Sequence, residues 1–243
     1  MMDLELQSRL FPMIPPEPGS KPIRPWERLI VVGDVHGCAD ELSALMDVVK
    51  PGPQDQVLLL GDLVNRGPDT PGVLAQVRQL KALSLLGNHD YRLLRYYFSH
   101  HALSLTSYDM QTIERLQPED WQTLSSLMLT LEDPIHQHLF VHGGFHPQQD
   151  WRSQGASIVT EIQCIDAEGK PQRRKNAPSA PFWADLWSGP EFVVYGHTPR
   201  REVYRTPMTL GIDTGCVYGG HLTAYILPTR EIVQVRAKRA YAP

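Results

Sequence analysis

The chain has 243 residues, 42% hydrophobic and 21% charged, a globular balance that excludes a disordered acidic tail, a collagen or a coiled coil. Its 23 basic and 27 acidic side chains leave a formal net charge of −4, which argues against wrapping long nucleic acid but leaves room for a local anion site. The three cysteines, Cys38, Cys164 and Cys216, form no CxxC pair, so neither a disulfide framework nor a thiolate zinc site is expected.

Residues 1–27 read as an arm, because Pro12, Pro15, Pro16, Pro18, Pro22 and Pro25 crowd together and proline at that density blocks helix. Residues 28–243 read as one catalytic domain without an internal repeat or linker. No apolar run approaches the roughly 18 residues of a membrane span. The acidic start Met-Met-Asp-Leu-Glu lacks a secretory core, so a cytoplasmic location is expected.

Short apolar runs then alternate with helical periodicity. Residues 29–32 predict a buried strand, and Leu42, Leu45, Met46 and Val49 place a helix over 39–49. A second strand covers 57–60. Asp69-Thr70-Pro71 opens a helix to about Leu80, since a capping carboxylate precedes a proline in the first turn. A third strand at 83–86 leads into a helix ending at Phe98. Residues 109–131 read as two helices, the second opening near Pro118. Strands follow at 139–141 and 192–195. Three late strands, at 208–212, 222–227 and 231–235, are joined by turns at Gly219-Gly220 and Pro228. Strand–helix alternation followed by a run of strands predicts a layered α/β fold with a mixed sheet or two.

Five of these runs end in the same chemical way. They stop in Gly33-Asp34-Val35-His36-Gly37, Gly61-Asp62, Gly87-Asn88-His89-Asp90, His142-Gly143-Gly144 and Gly196-His197. In open α/β sheets, ligands bind beyond the carboxyl ends of the strands, so these loops can converge on one cleft. Carboxylate, imidazole and amide oxygen suit manganese, iron, cobalt or zinc. Asp34, His36, Asp62, Asn88, His142 and His197 are too many ligands for one tetrahedral ion. They suit two ions about 3.5–4 Å apart, an arrangement that clamps the attacking and leaving oxygens of phosphoryl transfer. His100, His101, His136, His138, His146 and His221 read as surface or packing residues.

GDVHG (33–37), GDLVNRG (61–67), GNHD (87–90), HGG (142–144) and GHT (196–198) resemble, in order, the motifs of the calcineurin-like metallophosphoesterases of the phosphoprotein-phosphatase branch. The resemblance implies an α/β (α+β) fold, a two-sheet β-sandwich flanked by helices. It implies two divalent metal ions, foremost Mn2+, with Fe, Co, Ni or Zn as alternatives. Asp34, His36 and Asp62 would hold the first; Asp62, Asn88, His142 and His197 would hold the second. Arg66 would grip a phosphate oxygen, Asn88 would also face the substrate, and His89 would be the general acid. The reaction implied is in-line attack by metal-bound hydroxide without a phosphoenzyme.

One position departs from the protein-phosphatase pattern. GDYVDRG becomes GDLVNRG, so Asn65 replaces the aspartate that orients the histidine and brings no charge to favour imidazolium. A preference for good leaving groups follows, such as a nucleoside polyphosphate. The stretch 211–224, with Asp213-Thr214-Gly215-Cys216-Val217, is similar to the closing signature of symmetrical diadenosine tetraphosphatases, shared in part by bacterial protein phosphatases and an RNA-repair phosphatase module. Asp213 would orient the site through a ligand histidine.

The least patterned stretch, 145–190, holds Lys170, Arg173, Arg174, Lys175, Trp183 and Trp187, residues suited to a polyphosphate and a stacked base. Arg92 and Arg95 on the helix after GNHD could also reach the cleft. A small phosphorylated substrate, foremost a dinucleoside polyphosphate cut symmetrically, is expected, with no membrane and no long nucleic acid as partner. A serine/threonine phosphoprotein phosphatase, an RNA 5′-end phosphatase and a metal-holding scaffold are the alternatives.

Overall fold

A computed structural model describes residues 26–99 and 104–243. The proline-rich arm up to residue 25, and His100 and His101, lie outside the described residues.

Two five-stranded sheets pack face to face. The first has the order β12-β11-β1-β2-β3, from β1 (Leu29–Val32), β2 (Gln56–Leu59), β3 (Leu83–Ser84), β11 (His221–Leu227) and β12 (Glu231–Arg236). The second has the order β4-β5-β8-β10-β9, from β4 (Thr130–Asp133), β5 (His138–Val141), β8 (Phe192–Tyr195), β9 (Tyr204–Arg205) and β10 (Thr209–Gly211). The sequence had suggested one mixed sheet or two, and two are present. A hairpin of β6 (Cys164–Ile165) and β7 (Pro171–Gln172) stands apart.

Helices and loops cover the outer faces, so the inner strands β1, β2, β5 and β8 are buried on both sides and read as nearly unbroken apolar runs, whereas the edge strand β12 stays half exposed. Leu29 and Val31 of β1 point into the inter-sheet layer with Leu58, Phe140, Val194 and Tyr225. Ile30 and Val32 point the other way, toward Leu42, Leu45 and Met46 of α1 (Ala39–Val49) and Val73 and Leu74 of α2 (Thr70–Gln79). At the start of α2 the Asp69 carboxylate accepts from the Gly72 N–H at 3.1 Å, the cap expected from the sequence. α3 (Asn88–Phe98), α4 (Ser107–Ile113) and α5 (Pro118–Ser125) follow. The short helices α6 (Ala156–Val159) and α7 (Trp183–Leu186) belong to the 145–190 stretch.

The second predicted helix over 109–131 stops at Ser125, and the apolar run after it leaves the helix. Met128 pairs with the edge of the first sheet, donating to the Ser84 carbonyl at 3.0 Å and accepting from Leu86 N–H at 2.7 Å. Sheet pairing therefore overrides the local helical pattern, and β4 begins in the second sheet.

In the first sheet β1, β2 and β3 run parallel, and in the second β5, β8 and β10 do. Their carboxyl ends meet along one rim. Gly33 after β1 lies so close to the other sheet that a Cβ there would stand 2.6 Å from the Ile212 carbonyl after β10. We expect Phe140→Ala, which empties the middle of the inter-sheet layer, to lower stability by about 3–5 kcal/mol in chemical denaturation.

Candidate functional site: a cluster of imidazoles and carboxylates at the sheet rim

Five loops deliver donor atoms to the rim. Those after β1, β2 and β3 bring Asp34, His36, Asp62, Asn88 and His89, and those after β5 and β8 bring His142 and His197. All but His197 are buried. Their atoms form two tight groups that share Asp62: His36, Asp62 and His89, and Asp62, His142 and His197. The His36 Nε2 lies 3.3 Å from one Asp62 oxygen and the His142 Nε2 lies 3.5 Å from the other. Asn88 Oδ1 is 3.3 Å from His142 Nε2. Asp34 stands beside His197, accepting its backbone N–H at 3.0 and 3.1 Å. Gly196 makes that approach possible, because a Cβ there would lie 2.1 Å from Asp34 Oδ1.

The second nitrogen of each histidine fixes the direction of its lone pair. His36 Nδ1 faces the Val64 carbonyl at 3.0 Å and His142 Nδ1 faces the Leu60 carbonyl at 2.9 Å. A carbonyl accepts only, so each Nδ1 carries the proton and each Nε2 is left as a lone pair turned toward Asp62. His197 is reversed. Its Nε2 faces the Glu161 carbonyl at 3.3 Å, and its buried Nδ1 has no hydrogen-bond partner. A buried acceptor without a donor costs free energy unless something positive sits against it.

The charges make the same demand. Burial, with Asp213 and Asp62 beside it, raises the Asp34 carboxyl well above the usual range. Burial also lifts Asp62 to about 7 and Asp213 to about 7. Burial pushes His36 and His142 down to about 3, and His197 well below its ordinary value. Neutral imidazoles and carboxylates short of counter-charge fit divalent cations. Ligands at right angles about 2.1 Å from an ion stand about 3 Å apart, close to the separations around Asp62. His36, Asp62, Asn65, Arg66 and His197 all have φ between 47° and 72°, unfavourable for residues with a side chain and typical of functional sites.

Arg66 and His89 complete the cleft. Arg66 Nη1 donates to His36 Nε2 at 2.9 Å, and its guanidinium lies over the Tyr218 ring. His89 is buried, and its Nδ1 faces two donors, Asn65 Nδ2 and Arg92 Nη2, both at 3.1 Å. Both are anchored by Asp109, which the sequence reading did not single out. Asn65 Nδ2 donates to Asp109 Oδ1 at 2.7 Å, and Arg92 pairs with both carboxylate oxygens at 2.9–3.0 Å. Flipping the Asn65 amide would set its oxygen against that carboxylate, so the amide orientation is determined. His89 Nδ1 is therefore the acceptor and Nε2 carries the proton. Burial foremost, then His36, Arg66 and Arg92, holds His89 well below its ordinary pKa. Burial alone would raise Asp109, but hydrogen bonds from Arg92 and Thr106 hold it low. The signal for Asp109 was its place three residues after Thr106, a capping box at the start of α4.

Other expected residues fall elsewhere. Asp213 lines the cleft, but its carboxylate accepts from the Gly215 N–H at 3.0 Å rather than from a histidine. Arg173 and Lys175 line the cleft, while Arg174 points away, donating to the Pro178 carbonyl at 3.2 Å and lying over Phe182. Trp183 and Trp187 are buried around Phe145, so they fill the core instead of stacking on a base. Arg92 reaches the cleft as foreseen; Arg95 lies over the Tyr91 ring. Cys38 and Cys216, distant in sequence, meet at Glu41 in a buried group. The Cys38 contact and burial push the Cys216 thiol up, so Cys216 is held as the neutral thiol. No helix among the described residues is long and apolar enough to cross a membrane.

The calcineurin-like phosphoesterase family matches residues 27–231. The asymmetrical bis(5′-nucleosyl)-tetraphosphatase PrpE of Oceanobacillus iheyensis is 30% identical over 88% of this chain and 94% of its own. The symmetrical bis(5′-nucleosyl)-tetraphosphatase of Janthinobacterium sp. strain Marseille is 29% identical over 87% of this chain and 97% of its own. A crystal structure provisionally described as a diadenosine tetraphosphatase superposes with a TM-score of 0.80 at 33% identity, covering 90% of this chain and 96% of the other.

If cations relieve the buried charge, manganese at about a hundred times its Kd should stabilise the fold by about 2.7 kcal/mol. Thermal melts with and without the metal read this directly. Asp62→Asn should stay folded and lose the metal-induced shift; a full shift in that variant would remove Asp62 from the metal site.

Proposed function

The chain belongs to the calcineurin-like phosphoesterases and hydrolyses phosphate esters or anhydrides; we propose that its substrate is a dinucleoside polyphosphate. The observation that carries this reading is that His89 Nδ1 faces two donors instead of a carboxylate, which leaves the ring neutral with its proton on Nε2. A neutral imidazole is a weak acid, suited to a leaving group that departs as a stable anion. A nucleoside phosphate is such a group and a serine alkoxide is not. The relatives named above, one asymmetrical and one symmetrical in its cut, support the substrate class equally for either position of the cut.

Asp34, His36 and Asp62 would hold one divalent cation, and Asp62, Asn88, His142 and His197 would hold a second. The oxygen and imidazole donors accept manganese, iron, cobalt, nickel or zinc, and manganese is the ion we put first. The two cations supply an activated water and neutralise charge on the phosphoryl group. Arg66, whose guanidinium here donates to His36 Nε2, would be freed by a cation held at that nitrogen. It then binds a phosphate oxygen, for which its planar fork is suited. Arg173 and Lys175 attract the rest of the phosphate chain. His89 donates a hydrogen bond from its Nε2–H to the leaving oxygen, which departs as the phosphate anion, while Asn65 and Arg92 hold the ring so that this nitrogen bears the proton.

Product chromatography on diadenosine tetraphosphate with manganese tests the substrate. Nucleotides without orthophosphate are expected. ADP alone marks the symmetrical cut; AMP with ATP marks the asymmetrical one. An untouched dinucleotide beside hydrolysed p-nitrophenyl phosphate would overturn the reading in favour of monoesters.

His89→Ala should lower kcat on the dinucleotide by about 10²–10³. Asn65→Ala should lower kcat less and leave KM nearly unchanged, because Asn65 acts through His89. Imidazole 15N shifts should show Nδ1 of wild-type His89 unprotonated. A protonated Nδ1 would sink the assignment.

A further inference from the structure

Beside the cleft lies a second cavity of about 370 Å³, nearly the size of the cleft itself at about 380 Å³. Each falls in the range of small-molecule sites, roughly 300–1,000 Å³. Both are lined by Arg173 and Lys175, which form a shared wall. The Glu161 carboxylate pairs with Arg173 at 2.7 Å, which cancels one charge of that wall and leaves the exposed Lys175 to act as the net cation.

The two cavities differ in chemistry. The cleft holds the imidazoles and carboxylates described above, whereas the second cavity contains none of the candidate metal ligands. Its half-buried Ile158 and Pro171 offer apolar surface, and Asn176 adds an amide that can both donate and accept. The segment that carries it is tied to the reaction centre, because the Glu161 carbonyl holds the His197 ring.

We infer that the second cavity is the seat of the distal nucleoside, with the phosphate chain crossing the Arg173–Lys175 wall between the two cavities. This rests on the dinucleoside polyphosphate reading given above. A molecule with two nucleosides joined by an anionic chain requires two concavities with positive charge between them, and a mononucleotide or phosphopeptide does not. The apolar pair packs against the base face and the Asn176 amide meets a base edge. Phosphate oxygens stay with Lys175 at the wall.

Two measurements test it. For wild-type enzyme, KM for diadenosine tetraphosphate should lie about tenfold below KM for adenosine 5′-tetraphosphate, a difference of about 1.4 kcal/mol for the second nucleoside. Equal values would overturn the inference. Ser157→Trp places bulk at the exposed rim of the second cavity. It should raise KM for the dinucleotide about tenfold while KM for p-nitrophenyl phosphate, too short to cross the wall, changes by less than about twofold. Equal effects on both substrates, or none on either, would also overturn it. Failure of wild-type enzyme to cut the dinucleotide at all would instead overturn the substrate reading beneath it.

Discussion

The constraint on which the molecule depends is the convergence of two sheets at their carboxyl ends. Six parallel strands, three from each sheet, discharge their loops into one rim, and the loops touch. At Gly33 and Gly196 the approach is closer than any side chain allows, 2.6 Å to the Ile212 carbonyl and 2.1 Å to Asp34 for an imagined Cβ. The glycines after the strands are thus the means by which opposite sheets share one site. The same closeness lets a loop of one strand orient a histidine on another. His142, from the second sheet, gives its Nδ1 proton to Leu60 at the end of β2 in the first. Ring direction is therefore fixed by the packing of the sheets rather than by the histidine's own loop.

That convergence carries an electrostatic cost. It raises Asp34, Asp62 and Asp213 by burial, with the Asp62 charge adding to the rise of the other two, and leaves the His197 Nδ1 without a donor. A fold optimised for stability alone would not gather such groups. The inter-sheet layer, with Phe140, Tyr225 and nine-tenths or more of each side chain shielded, offsets the cost from below the rim. Burial then gives the cost its use, because the low dielectric that penalises bare carboxylates strengthens their hold on a cation.

The sequence made the rim legible because its signals are local. A short apolar strand that ends in glycine beside an aspartate, asparagine or histidine can be read without knowing its neighbours, and the five such endings do come together. What was illegible depended on distant contacts. The run at 127–129 has a helical look but is claimed by the edge of β3, through Met128. Trp183 and Trp187 in a basic, unpatterned stretch resemble a base-stacking platform, yet Phe145 and Tyr195 enclose Trp183 in the core. Arg173 and Arg174 look equivalent in the sequence; only the turn of the backbone sends one to the cleft and the other to Phe182. Asp109 escapes the sequence reading because its role spans two elements: it closes the capping box of its own helix, with Oδ2 bonded to Thr106, while Oδ1 takes Asn65.

That double use explains the asparagine in GDLVNRG. A carboxylate at position 65 would sit against Asp109 where the Asn65 amide now donates at 2.7 Å, and two buried anions at that distance would not both stay ionised. The negative charge has moved one residue further from the histidine. Arg92 stands between, neutralising Asp109 and presenting a donor to His89. An aspartate partner accepts the Nδ1 proton and favours imidazolium; this arrangement donates to Nδ1 and favours the neutral ring. Acid strength is exchanged for a fixed tautomer. The exchange is unfavourable for a substrate whose leaving oxygen needs a full proton. It costs little for one whose leaving phosphate departs as an anion and needs only a directed hydrogen bond.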